Sequence, residues 1–186
     1  NQSSNILKQI KVQNTLKFLT ETSSIIRENS LGKVIAITGS CGKTSLKELI
    51  GKTLKKISKT TYSPKSFNNK FGVPLSLFNL NTKDDFGVFE IGMDRKGEID
   101  ILSKIIKPDV GVITNISYAH AKNFKNIKQI ALAKSEIIHN IKKDGAVVLN
   151  GDDQFYNLHK KIAVKNNLKV YSFSICLLYT SPSPRD

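Results

Sequence analysis

The stretch Ile37-Thr38-Gly39-Ser40-Cys41-Gly42-Lys43-Thr44-Ser45, "ITGSCGKTS", directly follows the apolar run Val34-Ile35-Ala36. A β-branched run, a glycine turn and then a helix-forming segment is the order of a strand, a phosphate-binding loop and a helix. Gly42-Lys43-Thr44 is intact, but Ile37 stands where the usual loop carries its first glycine, and Gly39 is the nearest upstream substitute. The loop is therefore a shortened variant. A helix beginning near Lys43 turns its unpaired N–H groups and the positive end of its dipole toward a phosphate. Lys43 would reach the β- and γ-phosphates, and the Thr44 hydroxyl would take a Mg²⁺ site. Gly39 and Gly42 supply the close approach and unusual φ that such a loop needs.

Outward from the loop, short β-branched runs alternate with longer helical patterns, which predicts an α/β fold with a mostly parallel sheet flanked by helices. The strands are expected at Lys33–Thr38, Thr60–Ser63, Phe86–Ile91, Asp109–Ile116, Ala146–Leu149 and Leu168–Phe173. Helices are expected at Lys43–Ile57, Glu98–Ile106, Ile127–Ile141 and Asp153–Asn166. Asn14-Thr15 can cap a further helix running to about Glu28.

Composition narrows the class. The 186 residues are 39% hydrophobic and 24% charged, enough to bury a core in one domain. The net charge of +14 suggests nucleic acid at first sight, but only 3 of the 29 basic residues are arginine. Lysine (26), isoleucine (22) and asparagine (16) dominate the chain together, as AT-rich codons would give, and the lysines are scattered, so no nucleic-acid partner is expected. No apolar run approaches the ~20 residues of a membrane span, and the N-terminus has no signal-peptide pattern. The two cysteines, Cys41 and Cys176, form no disulfide framework. A cytoplasmic setting is expected.

The last eleven residues, "CLLYTSPSPRD", hold no lysine and two of the five prolines. They read as an in-frame translation of a sequencing adaptor, so the natural protein is expected to continue past Ile175. Three segments follow: 1–30 as the exit of a preceding domain with a linker helix, 31–175 as a nucleotide-binding domain, and 176–186 as a non-native tail.

Three further groups carry chemistry. In "FEIGMDRKGEID" an apolar strand ends at Glu90, a carboxylate at the tip of a parallel strand where α/β ligands bind and a hard-oxygen Mg²⁺ donor belongs. In "DVGVITNISYAHAKNF" another strand delivers Asn115 and then His120. In "ALAKSEII" Lys134 sits on the apolar stripe of its helix, where an amine needs a partner, a modification or a route to the surface.

Taken in order, "AITGSCGKTSLKE", "FNNKFGVPLSL", "FEIGMDRKGEI", "KPDVGVITNISYAH", "ALAKSEI" and "GAVVLNGDD" resemble the central domain of the Mur ligases, the ATP-dependent amide-bond-forming enzymes of peptidoglycan assembly. That family's loop is itself the shortened Gly-x-x-Gly-Lys-Thr/Ser form. The "FNNKFGVPLSL" and "GMDRKGEI" segments look most like the MurF branch, which adds D-alanyl-D-alanine to UDP-N-acetylmuramoyl-tripeptide.

The resemblance implies a P-loop NTPase-like fold and a reaction in which ATP phosphorylates a carboxylate and an amine attacks the acyl phosphate. It implies that Gly39, Ser40, Cys41, Gly42, Lys43, Thr44 and Ser45 hold ATP, with Asn115 near the nucleotide. Thr44 and Glu90 would bind one Mg²⁺; His120 and Lys134 would bind a second, Lys134 as a CO₂-derived carbamate. Lys43, Glu90, His120 and Lys134 form the implied catalytic set, and Asn68 and Asn69 are implied to contact the UDP-sugar peptide. Many relatives carry glutamate where Lys70 stands. The full-length protein is expected to be a monomer. The rival readings are a MurE-like or folylpolyglutamate-synthetase-like ligase and, more remotely, a non-ligase P-loop NTPase. A GTPase would need Asn-Lys-x-Asp, and the one Asn-Lys pair, Asn69-Lys70, leads into Phe71-Gly72 instead.

Overall fold

A computed structural model describes residues 10–118 and 123–175 of the chain. Six parallel strands form one sheet: β1 (Lys33–Thr38), β2 (Thr60–Tyr62), β3 (Phe86–Glu90), β4 (Val110–Ile113), β5 (Ala146–Asn150) and β6 (Lys169–Phe173). Their order is β2-β3-β1-β4-β5-β6. The chain leaves β1 toward one edge and then returns to build the other, so β1 lies at the topological switch point, where such sheets open a crevice at the strand C-termini. Ile37 pairs with Glu90 and Thr38 with Ile113, which sets the ends of β3, β1 and β4 level.

Alternation along β1 divides the core. Val34 and Ala36 face the larger cluster, with Phe89, Ile91 and Ile113, beneath α1 (Thr15–Asn29), α3 (Gly72–Leu77), α4 (Glu98–Ile106), α5 (Ile127–Ser135) and α6 (Tyr156–Lys165). Ile37 joins Val88 and Val112 on the opposite face, under Leu46, Ile50 and Leu54 of α2 (Lys43–Lys55). Gly51 lets α2 approach β2 closely, since a Cβ there would meet the Tyr62 ring at 2.5 Å.

The expected elements are present with shifted ends. Expected β4 ran to Ile116, but the strand ends at Ile113; Thr114, Asn115 and Ser117 bond the glycine loop after β1 instead, and Ile116 N donates to Asp153. Expected α5 ran unbroken to Ile141, whereas the helix stops at Ser135 and a 3₁₀ turn, Glu136–Asn140, follows. Tertiary bonds hold that tighter turn: Glu136 accepts from Gly97 N (2.8 Å) and Asp100 N (3.1 Å), and Asn140 Nδ2 donates to Asp100 Oδ1 (2.9 Å). Helix α3 was not anticipated. Asn69 Oδ1 accepts from Phe71 N (3.1 Å) and Gly72 N (2.9 Å) to start it, and Pro74 falls in the first turn, where its missing N–H costs nothing. Helix α1 is capped as expected, Asn14 Oδ1 accepting from Lys17 N at 2.9 Å.

At the end of the sheet away from the crevice, Arg27 is buried. It donates to Ile106 O (2.6 Å), Lys107 O (2.9 Å), Ser30 O (3.3 Å) and Asp109 Oδ2 (3.2 Å), tying α1 to the end of α4 and the start of β4.

Candidate functional site

The loop after β1 turns on Gly39 (φ 148°) and Gly42 (φ 80°). A Cβ on Gly39 would fall 1.8 Å from Thr114 Oγ1, so only glycine fits there. Helix α2 begins at Lys43 with no side-chain cap, and its first-turn N–H groups point out over the strand ends. The residues just past β4 brace the loop: Ser40 N donates to Asn115 O (2.9 Å), Cys41 N to Asn115 Oδ1 (3.0 Å) and Thr114 Oγ1 to Cys41 O (2.6 Å). Ser117 N and Ser117 O both bond Ser40 Oγ. These bonds fix the backbone of the loop in one conformation.

Two lysines converge on a single oxygen. Lys43 Nζ donates to Gly39 O at 2.9 Å, and Lys134 Nζ, from the last turn of α5, donates to the same oxygen at 2.9 Å. Lys134 is 1% exposed. Burial, followed by repulsion from Lys43, pulls its amine from 10.5 down to about 7. The inward-facing lysine therefore meets the glycine loop after β1 rather than snorkelling to solvent.

Glu90 ends β3 next to Ile37 and is fully buried. Asn68 Nδ2 donates to its Oε1 at 2.7 Å, while Oε2 is buried with no hydrogen-bond partner. An orphaned carboxylate oxygen beside an anion cradle is an acceptor that a hard cation would satisfy. Thr44 Oγ1 lies 3.5 Å from Ser66 Oγ, in the loop that also carries Asn68. Among the described residues no three His, Cys, Asp or Glu side chains gather into a metal cluster. His120 lies outside the described residues.

A cleft of about 750 Å³ opens beside Lys43, lined by Asn68, Asn69, Lys70, Arg95 and Leu102 among others. Glu98, also in the cleft, spends its Oε2 on Asp94 N (2.6 Å) and Arg95 N (3.1 Å). A second hollow of about 490 Å³ lies on the α2 face beside Gly42 and Asn115, with Leu46, Val112, Val148 and Phe173 in its wall. Asn68 and Asn69 both border the first cleft, though each also has an intramolecular partner.

Sequence reasoning missed Thr114 and Lys47. Thr114 fell inside the strand expected to run to Ile116, so nothing in the sequence marked it as a loop contact. Lys47 is fully buried on α2 and donates to Ser63 O (2.7 Å), Lys65 O (2.8 Å) and Glu48 Oε1 (2.7 Å). Its one signal was its spacing four residues before Gly51, the other buried position on that face.

Residues 37–179 match the family described as the Mur ligase middle domain. The chain belongs to the Mur ligase family. Over 171 residues it is 38% identical to the UDP-N-acetylmuramoyl-tripeptide–D-alanyl-D-alanine ligase of Buchnera aphidicola subsp. Baizongia pistaciae, covering 92% of this chain and 37% of that protein. The structure of MurF from Acinetobacter baumannii superimposes with a TM-score of 0.81 at 35% identity, over 89% of this chain and 36% of the other. That of MurF ligase from Thermotoga maritima in complex with ADP gives 0.79 at 28% identity, over 94% and 40%. This Mur ligase chain thus spans a little over a third of the length of the relatives it matches. Among its described residues no helix is long and apolar enough to cross a membrane.

Proposed function

We propose that this chain is the ATP-binding part of a ligase that joins D-alanyl-D-alanine to UDP-N-acetylmuramoyl-tripeptide, releasing ADP and phosphate. The observation that carries the reading is the contact of buried Lys134 with Gly39 O at 2.9 Å. A simple nucleotide-binding module has no need of a second, desolvated lysine behind its phosphate loop. Similarity to ligases that act on these substrates chooses among Mur-type activities.

The reaction is phosphoryl transfer followed by acyl transfer, so the protein's part is positioning and charge neutralisation. The α2 N–H groups and the loop from Gly39 to Ser45 hold the ATP phosphates. Lys43, now resting on Gly39 O, swings outward to the γ-phosphoryl group as the substrate carboxylate attacks it. The 750 Å³ cleft beside Lys43 takes the peptide end of the acceptor, bordered by Asn68 and Asn69. Asn115 stands at the nucleotide side of the loop. The amine of D-alanyl-D-alanine attacks the acyl phosphate carbon, forms the amide bond and expels inorganic phosphate.

Glu90 Oε2 and Thr44 Oγ1 would hold one Mg²⁺, and His120 with a carbamylated Lys134 a second. Bound Mg²⁺ would neutralise charge shared by the γ-phosphoryl group and the substrate carboxylate. With its amine titrating near 7, Lys134 has a neutral fraction able to attack CO₂, forming an N–C bond and releasing a proton to solvent.

Residues 176–186 are read as a non-native tail, and the complete protein as carrying further domains for the UDP and amine ends. The test is phosphate release by the complete protein. It should require both substrates together and be lost in Glu90→Ala and Lys134→Ala. Release without D-alanyl-D-alanine, or undiminished release in either variant, contradicts the proposal.

A further inference from the structure

The loop from Ser63 to Phe71, between β2 and α3, touches the site at two points. At its base, fully buried Lys47 grips Ser63 O, Lys65 O and the Glu48 carboxylate. This holds Lys65 in the left-handed region at φ 46°, a conformation a lysine does not adopt freely. At its tip, Asn68 binds the exit of β3 twice. Its Nδ2 donates to Glu90 Oε1 at 2.7 Å, and its carbonyl accepts from Gly92 N at 2.8 Å. Gly92 has no side chain in the way; a Cβ there would come within 2.9 Å of Asn68 Oδ1.

We infer that Asn68 is a positioning residue for the Glu90 carboxylate rather than primarily a substrate contact, and that Lys47 anchors the loop that delivers it. This rests on the nucleotide-and-metal reading of the site. The Asn68 amide satisfies one carboxylate oxygen and prevents the group from turning, so Oε2, buried and unpartnered, stays directed to one place. One of the two Nδ2 hydrogens is committed to Glu90, so the amide's orientation is set by the carboxylate rather than by a substrate. Asn69, its neighbour in sequence, serves a different end, since its Oδ1 caps α3.

The test uses the 186-residue chain, ADP and Mg²⁺, with binding followed by calorimetry in EDTA and across a Mg²⁺ titration. Outer-shell partners of a metal ligand are typically worth about 10- to 100-fold in metal affinity. Asn68→Ala should therefore raise the Mg²⁺ concentration that half-enhances ADP binding by about tenfold. ADP affinity in EDTA should stay close to the parent's, while the thermal midpoint falls because the buried Glu90 carboxylate loses its hydrogen-bond partner. Gly92→Ala, which displaces the Asn68 amide, should move the Mg²⁺ requirement the same way. Asn69→Ala should lower the thermal midpoint and leave the Mg²⁺ requirement in place.

An unchanged Mg²⁺ requirement in Asn68→Ala, beside a parent chain that shows Mg²⁺ enhancement, overturns the inference alone. So does an equal shift in Asn69→Ala. Failure of the parent chain to bind ADP at all overturns the nucleotide reading and this inference with it. In the complete enzyme, a raised KM for the muramoyl peptide with an unaltered Mg²⁺ requirement would restore Asn68 to substrate contact.

Discussion

Lys134→Met removes an amine that is 1% exposed and replaces it with an unbranched side chain of similar length. Folded, the amine titrates at about 7; unfolded, it returns to 10.5. Between these values the unfolded chain holds a proton that the folded chain lacks, so the stability of the parent protein rises with pH through the window. Each pH unit across it is worth about 1.4 kcal/mol. Integrated down to pH 7, this burial penalises the folded state by about 4 kcal/mol. Against that, the variant loses the hydrogen bond to Gly39 O, worth about 1 kcal/mol.

Lys134→Met should therefore be more stable than the parent at pH 7 by about 3 kcal/mol. The gain should shrink steadily as pH approaches 10.5. Urea unfolding in CO₂-free buffer, at steps from about pH 7 to about pH 10, measures both quantities. A variant no more stable than the parent at pH 7, or a gain that ignores pH, would refute the claim that Lys134 is a desolvated amine whose proton is lost on folding.

Other perturbations separate the loop, the core and the frame. Gly39→Ala would thrust a methyl to within 1.8 Å of Thr114 Oγ1 and should abolish ADP binding, read by calorimetry, while the sheet stays folded by circular dichroism. Arg27→Ala strips the end of α4 of two acceptor contacts and leaves Asp109 without its buried cation; urea unfolding should show a loss of about 3–5 kcal/mol. Gly51→Ala should destabilise despite a helix-propensity gain of about 1 kcal/mol, because its Cβ meets the Tyr62 ring at 2.5 Å; in a Tyr62→Ala background the sign should reverse. His159, 2% exposed, has its ring held below the usual 6.5 by burial, so the unfolded state takes up the proton first and stability should fall as pH drops below 6.5; His159→Gln should flatten that slope.

Much of the fold was legible because its signals are local. Each strand announces itself as a short β-branched run, and the loop is set by glycines a few residues from Lys43, so neither needs a distant partner to be recognised. Glu90 could be placed because a carboxylate ending an apolar run must sit at the strand tip. Lys134 stood out because an amine on an apolar stripe has to be explained. The break in α5 could not be read, since periodicity continues through Ile137, Ile138 and Ile141 while the bonds that tighten the turn come from α4.

The sequence by itself determined the parallel α/β class, the glycine loop between β1 and α2 and the identities of the ionisable groups around it. Those depend on spacing within a few residues, where helix and strand periodicity and glycine's freedom act directly. Only the tertiary structure decided what those groups touch. Gly39 and Lys134 lie 95 residues apart, Arg27 and Ile106 lie 79 apart, and the Asn68–Glu90 bond forms because β2 and β3 are neighbours in the sheet. A hydrogen bond between residues so far separated leaves no mark in local composition, and burial, which makes Lys134 basic or neutral, is a property of the packed whole.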